Sequence, residues 1–530
     1  MPTADGSPTL SATDTPPDSG LSPAAAPRDA AAERQSLDRA LLRGLGWTWV
    51  SNWGTQIVSW ISTVLVARLL TPSDYGVVAM AAVFLGLARL MSEFGLGTTV
   101  LAMRELHDQE LAEVNGLSML LGGLAVILSL LAAWPLGAFF QSSEVPLIIA
   151  VMSFSFPLAA ARVVPYALLQ RELRFDALAR LEVMQALVMT LVTLSLAAAG
   201  AGYWALTLGP MTGYAAATIV NMRLRPVRFA RPSRSLAQTM RFSRNILVER
   251  LAGYGYSSAD SLIIGRVLGD TPLGLYTLAR SLGAIAVDKV TGMTMRVTPA
   301  IFAAAQDDPA ALRRYVYLLT EGLAVATFPI CVGTALVAPE FVTLFLGDEW
   351  RHVTLPMQLI ALQGAIPAVT SMFPQILVVS GHSAFVMRNG LFALAIVPLG
   401  LLFGARYGVS GVAAAWFLLL PLVRGPLFWR TRATIGLSTR RLARTLWPAA
   451  SSVIVMAAAV FTLSTALAPR ISTMPLFASK VMIGALAYGG MLALAHRDRV
   501  REVIGALRAM RARPVPADDS SSDSSSIGPP

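Results

Sequence analysis

Lysine is nearly missing from this chain of 530 residues, where Lys289 and Lys480 are the only two. Cysteine is rarer still: Cys331 stands alone, which excludes a disulfide framework and any cysteine-rich metal cluster. Charged residues make up 14% of the sequence, against about 25% in an average soluble domain. A water-facing fold of this length would have too little polar sequence to cover itself. The lysines sit in Asp288-Lys289-Val290 and Ser479-Lys480-Val481, so there is no Gly-Lys-Ser/Thr phosphate loop and no nucleotide site of that kind. His107, His352, His382 and His496 are scattered without ligand spacing, which argues against a metal centre.

What is present is apolar. Hydrophobic residues account for 55% and the mean hydropathy is +0.60. Against this stands a formal net charge of +11, carried almost wholly by arginine. Nucleic-acid binding needs a solvated basic face that the chain cannot build, so the charge is expected to meet lipid, and no nucleic-acid partner is expected. Residues 1–27 and 514–530 are rich in Pro, Ser and Asp and read as disordered tails. The first of them lacks the basic start and apolar run of a signal peptide.

Between the tails, apolar stretches of about 20 residues recur, each able to cross a bilayer core of about 30 Å as a helix. Fourteen are expected, near 46–68, 76–102, 114–134, 146–169, 181–200, 203–222, 245–265, 274–296, 316–338, 353–380, 384–404, 408–429, 445–467 and 475–496. The predicted fold class is an all-α integral membrane protein. With the N-terminus in the cytoplasm, 30 of the 42 basic residues fall in cytoplasmic segments. Six fall in outward loops: Arg68, Arg266, Arg351, Arg406, Arg470 and Lys480. That asymmetry predicts an even number of spans, fourteen or twelve, with both termini inside. In 497–513, Val500, Val503, Ile504, Leu507 and Met510 oppose Arg499, Arg501, Arg508 and Arg511, the pattern of a basic helix lying on headgroups.

The chain also repeats itself. Residues 67–81 align without gaps on 265–279, with identities at 68/266, 70/268, 76/274 and 81/279. Four identities in fifteen are weak alone; the spacing adds weight, because 198 residues span six predicted helices. An even number gives two halves of the same orientation, related by an axis along the membrane normal, which is a transporter architecture. The expected organisation is an N-lobe over 28–222, a basic cytoplasmic linker over 223–244 and a C-lobe over 245–432. Two further helices over 433–496 follow.

The stretch Ala67-Arg-Leu-Leu-Thr-Pro-Ser-Asp-Tyr-Gly76, with Glu93-Phe-Gly-Leu-Gly97 and Leu169-Gln-Arg-Glu-Leu-Arg-Phe175, resembles the N-terminal lobe of bacterial polysaccharide flippases. Asp260-Ser-Leu-Ile-Ile-Gly265, Leu273-Gly-Leu-Tyr276 and Leu346-Gly-Asp-Glu-Trp350 resemble the matching second lobe. The group is the multidrug/oligosaccharidyl-lipid/polysaccharide exporter superfamily, and the exopolysaccharide branch is the most similar. The resemblance covers about 43–430 and implies two six-helix lobes that pass undecaprenyl-pyrophosphate-linked sugar units across the bacterial inner membrane by alternating access. It implies no enzyme activity and no cofactor beyond a coupling H⁺ or Na⁺. As partners it implies the lipid-linked oligosaccharide, membrane lipids, a polysaccharide polymerase and export machinery. The alternatives are a multidrug or cell-wall-precursor exporter of the same superfamily and a membrane-embedded polymerase or glycosyltransferase. A structural membrane subunit is a further one. The short outward loops, none above about 15 residues, leave a polymerase little room for an external domain.

An ionisable side chain at bilayer depth is costly unless it faces a polar cavity or a partner. The candidates are Arg89, Glu93, Arg162, Glu182, Glu249, Arg250, Asp260, Arg280, Asp288, Lys289, Glu321 and Arg424. Arg89, Arg250 and Arg280 are expected to grip the pyrophosphate, since guanidinium binds phosphate in bidentate fashion. Asp260 and Glu93 are expected to exchange a coupling ion. Structural ion pairing is the alternative for each. Tyr254, Tyr256, Trp53 and Trp60 would stack on sugars if they faced the pathway. Prolines at depth, including Pro157, Pro165, Pro367, Pro374, Pro398 and Pro421, are expected to kink their helices.

Overall fold

The computed structural model describes residues 60–93, 96–97, 100, 107–231, 253–306 and 308–497. Both tails, Trp53 and all but the first residue of the basic segment 497–513 lie outside them. Among the described residues the chain is helical and holds no strand. The first half comprises α1 (Trp60–Leu69), α2 (Pro72–Glu93), α3 (Asp108–Phe140), α4 (Val145–Ser153), α5 (Ser155–Arg171), α6 (Phe175–Ala198) and α7 (Tyr203–Leu224). Then come α8 (Ala259–Val267), α9 (Asp270–Ala304), α10 (Pro309–Phe341), α11 (Thr354–Gln363), α12 (Ala365–Thr370) and α13 (Phe373–Val379). The chain continues through α14 (Ser383–Ala405), α15 (Gly408–Ile435), α16 (Thr439–Leu467) and α17 (Thr473–Ala495).

Ten spans among these are long and apolar enough to cross a membrane. Helix also occupies the described part of the other four expected stretches, in α1, α7, 253–267 and α9. The protein is therefore a multi-pass helical membrane protein, in agreement with its composition. Large apolar side chains such as Leu131, Leu418 and Leu486 point outward at 66–75% exposure, as lipid-facing surfaces require. Several helices run past the expected spans: α3 covers 108–140 where 114–134 was expected, because a polar first turn and the apolar residues 135–140 continue the hydrogen-bond ladder at its two ends.

Local signals set the ends. Thr71 and Asp74 form a capping box before α2: the Thr71 amide and hydroxyl donate to the Asp74 carboxylate at 2.9 and 2.8 Å, and the Asp74 amide donates to Thr71 Oγ1 at 3.3 Å. Asp308 caps α10 by accepting from the amides of Ala310 and Ala311 at 2.8 and 3.1 Å. Gly436, at φ +67°, ends α15 in the left-handed conformation. The span 145–171 breaks at Phe154, three residues before Pro157, whose missing amide frees the Ser153 carbonyl's position in the ladder.

The repeat becomes physical where α2 and α9 cross. Gly76 lies so close to Asp270 that an added Cβ would sit 1.9 Å from its carbonyl oxygen, and a Cβ on Gly274 would sit 1.7 Å from that of Pro72. Positions 76 and 274 are 198 apart, and so are 72 and 270, so the two contacts are reciprocal, as a two-fold axis requires. Around this crossing Ser73 donates to the Asp270 carboxylate, and Tyr75 meets Trp350 edge to face at 5.3 Å. Trp350 Nε1 donates to the Ala67 carbonyl at 2.7 Å. Arg68 donates to the carbonyls of Leu344 and, at 2.7 Å, Phe345, within a π-helical turn over Val342–Leu346. Those carbonyls end a helix and need outside donors. One end of the bundle is thereby closed by contacts between the two halves.

Candidate functional site

Polar side chains converge on a cavity of about 360 Å³ in the second half of the chain. Asp260, Arg280, Asp288 and Arg424 line it together with Tyr256, Tyr276 and Trp416. Asp260 comes from the first turn of α8, Arg280 and Asp288 from α9, and Arg424 from α15. Arg280 and Asp288 are eight apart on α9 and so share a face, which turns both toward the cavity.

Asp260 is 2% exposed and fully partnered. Its Oδ2 accepts from the Tyr276 hydroxyl at 2.7 Å and from Arg280 at 3.1 Å. Its Oδ1 accepts from the Ser261 amide at 2.7 Å and from Arg280 at 3.4 Å. Arg280 also donates to the Ser257 carbonyl at 3.5 Å. The ion pair is lopsided: the Arg280 side chain is 47% exposed, Asp260's only 3%. The carboxylate is thus locked in protein while the guanidinium keeps open donors toward the cavity. Gln363 Oε1 and Thr291 Oγ1, both on cavity-lining residues, are buried without a hydrogen-bond partner. Orphaned polar atoms at a cavity wall are places where a ligand hydroxyl or a water finds a bond.

Of the expected site residues, the structure brings Asp260 and Arg280 together and adds Asp288 and Arg424. Arg89 lies elsewhere, donating to the Tyr214 hydroxyl at 3.1 Å with its guanidinium 5.5 Å from that ring. Arg162 approaches the same ring at 5.4 Å and donates to Gln185 at 2.7 Å, so Arg89 belongs to an arginine–tyrosine cluster of the first half. Arg250 and the side chain of Glu93 lie outside the described residues. Tyr256 lines the cavity, whereas Tyr254 donates to the Val83 carbonyl at 2.7 Å and ties 253–257 to α2. Lys480, expected in an outward loop, sits inside α17 and pairs with Glu340 at 2.6 Å. Sequence reasoning missed Trp416, Thr291 and Gln363, which carry no charge and stand out in no hydropathy pattern.

A multi-span helical bundle with a pseudo-symmetric crossing of its halves and a cavity lined by charged side chains fits a membrane transport protein rather than an enzyme. The family described as polysaccharide biosynthesis protein matches residues 65–355, more than half of the chain. The chain belongs to that family, as the resemblance in its residues implied. It is 23% identical over 432 residues to the lipopolysaccharide biosynthesis protein WzxC of Escherichia coli (strain K12), covering 78% of this chain and 85% of that one. It is 24% identical over 490 residues to the succinoglycan biosynthesis transport protein ExoT of Rhizobium meliloti (strain 1021), covering 90% and 98%. Among solved structures, the lipid II flippase MurJ in an inward closed conformation shares the fold, with a TM-score of 0.67 at 14% identity over 86% of this chain and all of that one.

Proposed function

We propose that the protein flips an undecaprenyl-pyrophosphate-linked oligosaccharide from the inner to the outer leaflet of a bacterial inner membrane, by alternating access, for exopolysaccharide or O-antigen synthesis. The observation that carries this reading is the half-exposed Arg280 beside the buried Asp260. An arginine held at bilayer depth with donors facing a cavity suits a pyrophosphate. Support also comes from the transport function in the name of the Rhizobium relative.

Coupling to an ion follows from the same pair. H⁺ or Na⁺ arriving at Asp260 would compete with Arg280 for the carboxylate. Winning that competition frees the guanidinium for the phosphate; losing the ion draws it back and weakens the grip. Asp260 thereby links ion occupancy to substrate affinity without the two touching. Tyr256 and Trp416 offer apolar faces for sugar rings, and Gln363 and Thr291 offer hydrogen bonds. On this reading the arginine-rich turns face the cytoplasm and the crossing of α2 and α9 closes the outer side.

A deletion strain should accumulate undecaprenyl-linked oligosaccharide, and the wild-type chain should clear it. Arg280→Ala should export at least about tenfold more slowly, the worth of one charge-assisted hydrogen bond to phosphate. Asp260→Asn should export without dependence on the ion gradient, because the competitor for Arg280 has lost its charge. Resistance to cationic dyes without such accumulation would instead identify a drug exporter. Gradient dependence unchanged in Asp260→Asn would remove the coupling role.

A further inference from the structure

The arginines at the ends of the two halves are balanced differently. Where α3, α5, α6 and α7 begin or end, the sequence interleaves Arg171, Arg174, Arg180, Arg223, Arg225, Arg228 and Arg231 with Asp108, Glu110, Glu113, Glu172, Asp176 and Glu182. Arg225 pairs with Glu172 at 2.8 Å, and Arg180 with Asp176. At the corresponding end of the second half, Arg313, Arg314, Arg388, Arg430, Arg432, Arg440, Arg441 and Arg444 face only Asp307 and Asp308 in the sequence. Asp308 already caps α10. Among the described residues none of these arginines is in an ion pair. Several lie over aromatic rings instead: Arg432 over Trp429 at 5.1 Å, Arg441 over Tyr317 at 4.8 Å and Arg430 over Phe385 at 5.8 Å. A guanidinium stacked by its face keeps its N–H edge for an anion.

Simple topogenic charge would predict arginine at both ends but not this asymmetry in compensation. The faces these residues occupy are informative too. On α16, Arg440, Arg444, Trp447, Ile454 and Phe461 follow one another at helical spacing along one face. Trp447, Ile454 and Phe461 are 60–65% exposed, so that face is the lipid-facing one. On α15, Leu418, Leu422, Trp429 and Arg432 form a matching exposed stripe. The turn Gly436–Ser438 joins the two helices. At 1.5 Å per residue, Trp429 lies about 9 Å and Trp447 about 12 Å from it, with the arginines nearer the turn. Charge, then indole, then aliphatic surface is the layering of a membrane–water interface. The α15 helix packs on α11, α13 and α14, whereas α16 packs on α10 and α17, so the pair diverges from its shared turn toward the lipid. None of these side chains lines the cavity of Asp260 and Arg280.

We propose that the α15–α16 turn binds the phosphodiester headgroup of an anionic membrane phospholipid, held by Arg432, Arg440, Arg441 and Arg444 with Trp429 and Trp447 at its apolar edge. Each arginine near an anionic surface contributes about a fivefold gain in affinity, the equivalent of about 1 kcal/mol. The site needs only that the chain spans a membrane and does not rest on what it transports.

The full-length protein in nanodiscs of mixed phosphatidylcholine and phosphatidylglycerol, released into native mass spectrometry, should retain phosphatidylglycerol selectively. Arg440→Gln/Arg444→Gln should lower that retention about twenty-five-fold, two fivefold steps. Arg174→Gln/Arg223→Gln, at the balanced end, should leave it unchanged. Helix content by circular dichroism identifies any variant that fails to fold, and Arg432→Gln then supplies the single-site measurement. Equal retention of both lipids by the wild-type chain, or undiminished selectivity in the double variant, would overturn the proposal. So would displacement of phosphatidylglycerol by an equal mole fraction of undecaprenyl pyrophosphate, which would assign the turn to a lipid-linked substrate.

Discussion

Lys480→Met will destabilise the protein by about 3–5 kcal/mol, and adding Glu340→Leu will return most of that loss. The pair joins α17 to α10 with Lys480 Nζ 2.6 Å from Glu340 Oε1, and the two side chains are only 6% and 11% exposed. Lys480 also reaches the Leu336 carbonyl at 3.5 Å, while Glu340 Oε2 has no partner. Removing the ammonium therefore strands a buried carboxylate with one oxygen already unsatisfied. Removing both charges strands nothing, and their joint desolvation cost disappears as well. Thermal unfolding of the detergent-solubilised protein tests the cycle: both single variants should melt well below wild type, and the double variant near it. Singles that melt with wild type would mean that the pair holds nothing together. Because α16 and α17 dock chiefly through α10, the singles should also loosen this pair before the rest of the bundle, visible as early amide exchange in 439–495.

The same residue marks a limit of reading from sequence. Lys480 lies just inside the expected span 475–496 and yet counts among the outward-loop cations of the charge asymmetry. The helix in fact begins at Thr473, which puts Lys480 about 10 Å inside, where a partner 140 residues away neutralises it. The spans themselves were legible because twenty apolar residues have one stable state in lipid, and α7 over 203–224 against 203–222 shows how closely. Some breaks lie beside proline, as at Phe154 before Pro157, whereas Pro165, Pro398 and Pro421 lie inside continuous helices. The stretch 353–380, expected as one helix, divides into α11, α12 and α13 around Gly364 and Met372, with Pro367 and Pro374 beside the breaks. Of the site, Asp260 and Arg280 were legible because a charge in an oily helix demands a reason. Their pairing was not, since it depends on how α8 and α9 fold back on each other at Gly269. Arg89 carried the same signal and went to Tyr214 instead: composition announces that a buried arginine has a partner but not which one.

The crossing of α2 and α9 leads to the other large effect. Gly274→Ala will hold the closed end of the bundle apart and lower export by more than about tenfold, since the shift needs only 1.4 kcal/mol against the closed state, within the usual cost of overpacking. A Cβ 1.7 Å from the Pro72 carbonyl oxygen cannot be absorbed by a side-chain rotation, because its neighbour is backbone. The helices must separate, and Gly76→Ala should do the same from the other side, at 1.9 Å from Asp270. Separation also draws Arg68 away from the carbonyls of Leu344 and Phe345, and Trp350 from Ala67, so the loss is cooperative. A spin-label pair reads it directly: Leu69→Cys and Val267→Cys occupy repeat-related positions, both about half exposed, and the native Cys331 is buried. In the labelled wild-type background the distance should be short and narrow. In Gly274→Ala it should lengthen and broaden, and the double glycine variant should exceed either single. An unchanged distance with undiminished export would mean that this crossing is merely close-packed and that the bundle closes elsewhere. The effect should be reciprocal between the two glycines because the contact is. Because both glycines sit at one crossing, a packing defect alone would be equally reciprocal; loss of export together with the lengthened distance is what marks the crossing as a gate.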